Sequence, residues 1–365
     1  MRTTRSARDQ PRRDRVLGID VTRMRTLPPP LLKPSQAAGG VLACIANRSV
    51  DLVHAHALSS TTLGAIVGAS VAGIPILVKQ SLGGSFGDAA VLAASPAAPL
   101  ARPIVRCAGA YAVLDDSIAD DLARMGVARS RMHTVDNGVD VVLHRPADDA
   151  ERAALRRASA LPMGPLAVFV GQLEKRKGVP ELLDAFERLR AMRSDAHLAI
   201  VGSGSLTPDV VHAAARVPGL IALGPRSDVA DLLRAADVFV LPSRFEGFSN
   251  AVLEAMACGL PVVVTRAVVP ARVGLDEAVG AVVEPTPTAI AAGIHALFAS
   301  KDARRACGKR ARTLALRFRI ERVAQDHVDL YRRLIAAHAA DAGGARPRAP
   351  PHGGGERRGG SEVAV

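Results

Sequence analysis

Two glutamates with seven residues between them, Glu246 and Glu254, are the first residues in this sequence that suggest chemistry. Ionised carboxylates accept hydrogen bonds well, and sugar hydroxyls are suitable donors to them. Glu246 follows an apolar run at 236–241, and Glu254 lies about one turn into the helix predicted at 251–257. Because a helix N-terminus favours anions, this segment suits a ligand that has both phosphates and hydroxyls.

The residues that follow Glu246 would supply the anion-binding end of this helix, and they are Gly247, Phe248, Ser249 and Asn250. The alternative is a capping glutamate followed by a solvated helix glutamate, and the spacing by itself is weak evidence against it. The continuous motif E-G-F-S-N-A-V-L-E-A-M-A-C-G-L-P-V-V-V is much more specific than the spacing.

A second set of candidates follows a predicted buried strand at 166–170 and precedes a predicted helix at 180–191. It comprises Gly171, Gln172, Arg176 and Lys177, with Lys175 beside them. Ligands bind at the carboxyl ends of strands in open α/β sheets, so a basic cluster at this position is a candidate binding loop. The alternative is an exposed basic loop, and its place between a strand and a helix favours the functional interpretation.

The elements around these candidates predict a doubly wound α/β domain. Apolar runs at 197–201, 220–224, 262–264 and 280–285 indicate further strands. Gly204 belongs to half of a G-x-G-x-x-G pattern in which Thr207 replaces the third glycine, so we expect a backbone turn rather than a dinucleotide site. Ligands bind at the carboxyl ends of strands in such sheets.

The first half of the chain predicts a second, shorter set of strands and helices. Strands are predicted at 16–21, 51–56, 76–78, 107–115 and 131–135, and helices at 35–47, 62–72 and 117–125. His54 and His56 would share one strand face, but a metal site needs further ligands and none lie nearby in sequence.

These motifs resemble the nucleotide-sugar glycosyltransferases of family 4, which have the GT-B fold of two Rossmann-like domains facing a cleft. The resemblance spans about residues 50 to 335 and is most specific at 166–178 and 237–264. It implies that Glu246 contacts the donor sugar, that Glu254 contacts the ribose hydroxyls and that Lys177 holds the diphosphate. Glu246 and Lys177 are therefore the catalytic candidates, and Glu254 is a donor-binding candidate. Gln172 stands where the family has an arginine, so Lys175 or Arg176 would have to compensate for the missing charge.

The resemblance also assigns roles outside these two motifs. The turn that contains Arg226 would lie near the nucleotide base. Gly83 and Gly84 follow the predicted strand 76–78, and we hypothesise that they let the backbone approach the donor phosphate. Family members usually begin with a strand and a glycine-rich turn, which the roughly 50 residues before D-L-V-H-A-H do not contain. We therefore expect a shortened N-terminal domain, either because its first βα unit is missing or because the start of the sequence is placed too late.

The expected organisation has five parts: a disordered basic arm (1–15), an acceptor-side domain (16–148), a nucleotide-sugar-binding domain (149–317), a helix crossing back (318–338) and a disordered tail (339–365). The expected activity is retaining, metal-independent transfer of a hexose-type sugar from a UDP-, GDP- or ADP-sugar, with no cofactor. The acceptor is left open among a glycan of cell envelope polysaccharide synthesis, a lipid-linked sugar and a small metabolite. The rivals are a truncated homologue that binds nucleotide without catalysis and a GT-B nucleotide-sugar epimerase.

Composition and charge bear on whether the protein binds nucleic acid, contacts a membrane or is secreted. The 365 residues carry a net charge of +12, with arginine-rich ends that we interpret as solvated arms, because no nucleic-acid-binding motif accompanies them. Peripheral contact with the cytoplasmic face of a membrane stays open. The four cysteines form no CxxC pair and the first residues lack the apolar core of a signal peptide, so we expect a cytoplasmic protein.

Overall fold

The computed structural model describes residues 13–16, 18–22, 27, 31–47, 49–84 and 87–341. The chain divides into two compact units. Unit 1 comprises residues 1–113, 117–134 and 327–365, and unit 2 comprises residues 114–116 and 135–326.

Unit 1 begins with an antiparallel hairpin of β1 (Arg13–Val16) and β2 (Ile19–Thr22). The prediction of a single strand at 16–21 is therefore wrong, because Gly18 turns the chain with a φ of 83°. Residues 1–12 of the expected disordered arm lie outside the described residues, while Arg13–Val16 is a strand.

The main sheet of unit 1 has four parallel strands in the order β3 (Val53–His56), β4 (Ile76–Lys79), β5 (Ala110–Val113) and β6 (Met132–Thr134). Among the described residues, no further strand pairs with the outer edge of β3. The helices of this unit are α1 (Leu32–Ala46), α2 (Ser60–Ala72), α3 (Asp88–Ala93), α4 (Ala98–Cys107) and α5 (Asp116–Arg124).

Helices α1 and α2 pack closely because glycines form their contact. A Cβ atom at Gly64 would lie 1.9 Å from the Ala37 carbonyl oxygen, and one at Gly40 would lie 2.1 Å from that of Thr61. Helix α2 begins where the Ser59 hydroxyl accepts a hydrogen bond from the Thr62 N–H, and it ends at Gly73 in the left-handed conformation.

Unit 2 has a six-stranded parallel sheet built from β7 (Leu166–Val170), β8 (His197–Val201), β9 (Leu220–Gly224), β10 (Val238–Leu241), β11 (Val262–Val264) and β12 (Gly280–Val282). Its helices are α6 (Asp149–Ala158), α7 (Val179–Met192), α8 (Thr207–Arg216), α9 (Val229–Ala235), α10 (Asn250–Ala257), α11 (Pro287–Ala299) and α12 (Lys301–Ala315).

The strand order of this sheet is β12-β11-β10-β7-β8-β9. Counted from β7 as the first strand, this is the 3-2-1-4-5-6 order of the classic dinucleotide-binding fold, read from the opposite edge. The order reverses between β7 and β10, where Val238 pairs with Ala167 and Phe239 with Val168. A crevice for a ligand is expected outside the carboxyl ends of these two strands.

The last helix, α13 (Ile320–Asp341), contributes its first residues to unit 2 and its remainder to unit 1. Residues 342–365, most of the expected disordered tail, lie outside the described residues. No helix in the described part of the chain combines the length and the apolar character needed to cross a bilayer.

Candidate functional site

The loops that follow β7 and β10 bring together the two residues to which the sequence assigns catalytic roles. Lys177 and Glu246 form an ion pair. Their side chains are only 13% and 10% exposed, so the pair is largely removed from water. Charges in such a setting interact more strongly than they do on an open surface.

Ser243, in the loop that follows β10, helps to position the Lys177–Glu246 ion pair. The Ser243 hydroxyl lies 3.2 Å from Oε1 of Glu246 and 3.2 Å from the Arg176 carbonyl oxygen. Ser243 is fully buried, and its own carbonyl accepts a hydrogen bond from the Thr265 hydroxyl. The predicted strand-end loop is thus anchored at both its side chain and its main chain.

The two loops also touch through the backbone. The Arg244 N–H donates to the Arg176 carbonyl at 2.8 Å. Gly178 adopts a φ of 72°, and a Cβ atom there would lie 2.1 Å from the Pro242 carbonyl oxygen. Only glycine allows both this conformation and this approach, so Gly178 determines where Lys177 is placed.

Gln172, the residue that replaces the expected arginine, is in contact with a guanidinium group. Nη2 of Arg176 donates a hydrogen bond to its Oε1 at 2.7 Å. Two neighbouring cationic side chains that are partly buried, Arg176 and Lys177, therefore follow strand β7. Lys175, by contrast, is exposed.

The loops after β7 and β8 are joined by hydrogen bonds. The Leu173 N–H donates to the Ser203 carbonyl, and the Glu174 carboxylate accepts from both the N–H and the hydroxyl of Ser205. The predicted site glycines allow the approach. A Cβ at Gly204 would lie 2.5 Å from the Leu173 carbonyl oxygen, and the Gly171 carbonyl lies where a Cβ at Gly202 would be.

Glu254 lines a cleft of about 440 Å³ on unit 2. Burial raises the pKa of this carboxyl, and the charge of His144 acts in the opposite direction. We call this feature the Glu254 cleft; its lining residues are Leu143, His144, Val170, Ser227, Asp228, Val229, Ala230, Asp231 and Glu254. Ribose hydroxyls could donate to a carboxylate placed in this way.

The predicted base-side turn borders the same cleft. Arg226 forms a two-point ion pair with Asp228, with Nε at 2.8 Å from Oδ1 and Nη2 at 2.5 Å from Oδ2. The pair raises the pKa of the Arg226 guanidinium and lowers the pKa of the Asp228 carboxyl. The turn is therefore braced by its own side chains.

The segment from Gly247 to Asn250 leads into α10 as predicted, but two of its groups are already engaged. Phe248 is buried with its ring 5.1 Å from that of Phe318, edge to face, and its carbonyl accepts from Nδ2 of Asn137. The Ser249 N–H donates to the Val268 carbonyl at 3.0 Å. The ring and the carbonyl of Phe248 are thus engaged within the protein, which leaves its main-chain N–H as the group that could bind a ligand.

Gly84 lies in unit 1, with a φ of 68°. Its N–H donates to Oδ2 of Asp121 at 2.8 Å. The close approach in this loop occurs at Gly83, where a Cβ would lie 2.3 Å from the Ser117 hydroxyl. The hypothesis that this glycine pair approaches the donor phosphate stays a prediction.

Unit 1 also contains a cluster of aromatic and basic rings beside β3. Nδ1 of His54 lies 2.6 Å from the Tyr331 hydroxyl, and its ring stacks on that of His56 at 4.5 Å, with His327 at 5.9 Å. Burial first, then His56, His327 and Lys79, lower the pKa of His54 to about 3. Among the described residues, no group of three His, Cys, Asp or Glu side chains could hold a metal ion.

Two contributors were missed by the sequence reasoning. The motifs assign no role to His144, although it is only 8% exposed and lines the Glu254 cleft. Arg272 belongs to none of the motifs above, and its Nη2 donates to the Leu114 carbonyl at 2.8 Å and pairs with Asp136. No local motif indicates either contact, because each joins residues far apart in sequence.

Comparisons with known proteins agree with this arrangement. The family described as "Glycosyl transferases group 1" matches residues 164–300, and the "Glycosyl transferase 4-like domain" matches residues 2–138. A D-inositol 3-phosphate glycosyltransferase of Xylanimonas cellulosilytica is 31% identical over 315 residues, which cover 80% of this chain and 75% of the relative.

Two solved structures share the fold. Sucrose-phosphate synthase from Thermosynechococcus elongatus has a TM-score of 0.72 at 22% identity, covering 90% of this chain and 87% of that one. The Anabaena protein HepE in complex with UDP-glucose has a TM-score of 0.68 at 18% identity, covering 83% and 82%. Both likenesses concern the fold alone.

Proposed function

Because this chain belongs to the family 4, or group 1, glycosyltransferases of GT-B fold, we propose that it transfers a hexose from UDP-hexose to a small phosphorylated acceptor with retention of anomeric configuration. Membership in the family makes the chain a glycosyltransferase. The donor, the acceptor and the stereochemistry are the parts that we propose.

The observation that carries the proposal is the pairing of Lys177 with Glu246 at the switch point of the unit 2 sheet, in loops that lead from Val170 and to Glu254, two residues that line the Glu254 cleft. A nucleotide sugar has three chemically distinct parts, and this region offers a partner for each. Glu254 accepts hydrogen bonds from the ribose, Lys177 and Arg176 receive the diphosphate, and Glu246 receives hydroxyls of the sugar.

The choice of UDP follows from a structural neighbour. HepE is a protein of this fold in complex with UDP-glucose. In this chain the nucleoside would occupy the Glu254 cleft, with the base towards the turn at Ser227 and Asp228. GDP- and ADP-sugars are the alternatives that an assay separates.

The chemical demand of the reaction is to stabilise a leaving nucleoside diphosphate. As the bond from the anomeric carbon to the diphosphate oxygen breaks, negative charge collects on the diphosphate. Preorganised cations in a largely buried site meet this need without reorganisation. We assign this role to Lys177 and Arg176, in a transfer that needs no metal ion. The acceptor oxygen then bonds to the anomeric carbon on the face that the diphosphate leaves, and its proton passes to the departing diphosphate oxygen.

The choice of acceptor follows from the names of relatives. One acts as a D-inositol 3-phosphate glycosyltransferase and another is a sucrose-phosphate synthase, so both names include a small phosphorylated compound. We therefore favour a phosphorylated polyol or sugar over a lipid-linked sugar or a polysaccharide. A role in cell envelope polysaccharide synthesis and a peripheral contact with the membrane stay predictions.

A two-step experiment tests this function. First, nucleotide binding is measured by calorimetry with UDP-, GDP- and ADP-glucose on the wild type and on Glu254→Ala. We expect UDP-glucose to bind the wild type and to bind the variant at least tenfold more weakly, an effect of about 1.4 kcal/mol.

Second, transfer is measured with inositol phosphates, hexose phosphates and their unphosphorylated forms, and the anomeric configuration of the product is read by NMR. Transfer to the unphosphorylated compounds alone would contradict the proposed acceptor. Binding without any transfer would favour the non-catalytic homologue, and a change in the donor sugar without transfer would favour the epimerase.

A further inference from the structure

His144 is the one ring in the Glu254 cleft, and neither the sequence motifs nor the comparisons give it a function. We propose that His144 assists the binding of a nucleotide sugar indirectly, as a positioning residue that acts through Glu254, which lines the same cleft. This inference rests on the proposed function, because it assumes that the cleft receives the nucleoside of the donor.

The position of the ring is fixed by its own loop. Nδ1 of His144 lies 3.1 Å from the Asp140 carbonyl oxygen, and the His144 N–H donates to the same oxygen at 2.9 Å. The Asp140 carboxylate accepts from the N–H groups of Val142 and Leu143, which closes the turn. With Nδ1 directed to this carbonyl, Nε2 is the nitrogen left to act on the cleft.

The loop is in turn fixed to α10, the helix that carries Glu254. Nη1 of Arg312 donates to the carbonyls of His144 and Ala257, each at 2.6 Å, and its Nη2 donates to the Val141 carbonyl at 3.0 Å. One guanidinium therefore holds the His144 backbone and the end of α10 together. The histidine and the glutamate face the same cleft from elements that are joined.

Burial raises the pKa of the Glu254 carboxyl and the charge of His144 opposes this shift, whereas the other carboxylates that line the cleft are paired with arginines. The pKa of the Asp140 carboxyl, in the same loop as His144, is lowered first by hydrogen bonds from the N–H groups of Leu143 and Val142 and also by the charge of His144. Asp228 is paired with Arg226, and Asp231 is paired with Arg234. Arg234 and Arg145 also both bind Glu151. Cys258, at the end of α10, has a pKa raised to about 12 by burial, so it adds no charge near neutral pH.

A bound nucleoside would remove more water from Glu254 than the cleft does by itself. Burial already raises the pKa of this carboxyl, and further burial acts in the same direction. A protonated Glu254 would lose its capacity to accept two hydrogen bonds from a ribose. Positive charge on His144 opposes this change, so the histidine should widen the pH range in which the donor binds tightly.

The test measures the affinity of UDP-glucose between about pH 5 and about pH 8, the range in which an imidazole changes charge. UDP-glucose is a better probe than UDP, because its diphosphate has no terminal phosphate that titrates there. His144→Gln keeps a donor that can reach the Asp140 carbonyl but removes the charge. We expect the loss of affinity on acidification to begin at a pH higher by about half a unit or more than in the wild type.

Two further variants separate this effect from changes in folding. His212→Gln removes an exposed histidine on α8 and should leave the pH profile unchanged. Glu254→Gln, which cannot ionise, should bind weakly with no acidic loss of affinity, and adding His144→Gln to it should change little. A His144→Gln profile that coincides with the wild-type profile would overturn the inference, whereas failure of the wild type to bind any nucleotide sugar would overturn the proposed function instead.

Discussion

Arg176 hydrogen bonds to Gln172 through Nη2 and Oε1 at 2.7 Å, so a guanidinium group stands beside the position where the family pattern has an arginine. The positive charge of that pattern is thus present on unit 2, although it comes from a residue four positions later in the chain. Arginine has the planar donor geometry that suits a diphosphate, which glutamine lacks.

This relationship predicts a compensating pair of substitutions. Arg176→Ala should lower kcat/KM by about one to two orders of magnitude, because a charged hydrogen bond to the diphosphate is lost. Adding Gln172→Arg to that variant should restore much of the loss, as steady-state kinetics can measure.

Lys175→Ala is the matched control, since it removes an exposed positive charge from the same turn and should have little effect. If Lys175→Ala were as harmful as Arg176→Ala, the turn would act only through its general positive field, and the specific role of Arg176 would be wrong.

The ion pair of Lys177 and Glu246 predicts a non-additive effect on stability. Lys177→Met leaves a carboxylate in a site where the glutamate is only 10% exposed, and we expect it to lower the free energy of unfolding by about 1–3 kcal/mol. Adding Glu246→Gln removes the unpaired charge, so the double variant should be more stable than Lys177→Met.

Urea denaturation of the two single variants and the double variant measures this coupling. Transfer activity should be lost in all three, because each lacks a residue assigned to the donor. Additive losses of stability would show that the two side chains do not depend on each other.

We expect a substitution at Gly178 to cost more stability than its left-handed conformation alone would explain. Gly178→Ala should lower both stability and activity, since its φ is 72° and the new Cβ would lie 2.1 Å from the Pro242 carbonyl oxygen. Gly274→Ala is the control, because Gly274 has the same φ of 72° but no atom within 4 Å of a Cβ.

We expect the control to cost about 1 kcal/mol for the left-handed conformation. The effect of Gly178→Ala should clearly exceed it and should include a higher KM for the donor, as Lys177 is displaced. Equal effects of the two substitutions on thermal stability and on KM would show that the close approach is unimportant.

The lowered pKa of His54 predicts that unit 1 loses stability in acid. Its pKa is about 3 in the folded chain against 6.5 for an ordinary histidine, so the unfolded chain binds one more proton between these values. The contribution of the neutral ring is therefore complete above about pH 6.5 and is lost progressively as the pH falls towards 3.

Denaturation at several pH values measures this effect as a slope of stability against pH. His54→Gln should reduce that slope. Tyr331→Phe, which removes the hydroxyl but keeps the ring, should lower stability while retaining most of the slope. An unchanged slope in His54→Gln would assign the acid sensitivity to other groups.

The sheet of unit 2 was predictable from local sequence, because its central strands β7, β8, β10 and β11 are almost entirely buried and its edge strand β9 is also an apolar run. The runs 166–170, 197–201, 220–224 and 262–264 have the bounds found in the structure. Fully buried parallel strands are continuous apolar runs, and such runs are easily recognised in a single sequence.

The short helices were harder to predict. Helices α3, α4, α6 and α8 were missed, and α4 (Ala98–Cys107) includes Pro103, which local reading takes as evidence against a helix. Tertiary packing evidently outweighs propensity there, since Ala101 and Val105 are buried in the core of unit 1.

The candidate site was predictable in its residue types but not in its pairings. Glu246 and Lys177 could each be singled out from a motif, yet their ion pair joins loops that are far apart in sequence. The same holds for Arg312, which holds the loop that contains His144 and has no motif of its own. Such contacts follow from the order of strands, which single-sequence patterns do not specify.

The mutual neutralisation of Lys177 and Glu246 bears on how the enzyme would distinguish its donor from the free phosphate that surrounds it in a cell. An inorganic phosphate that bound Lys177 would leave Glu246 without its cation, and the Glu246 carboxylate would then repel the phosphate. A sugar diphosphate offers a phosphate to the lysine and hydroxyls to the glutamate in the same event. If the proposed roles hold, the pair would therefore disfavour ligands that can satisfy only one of its two members.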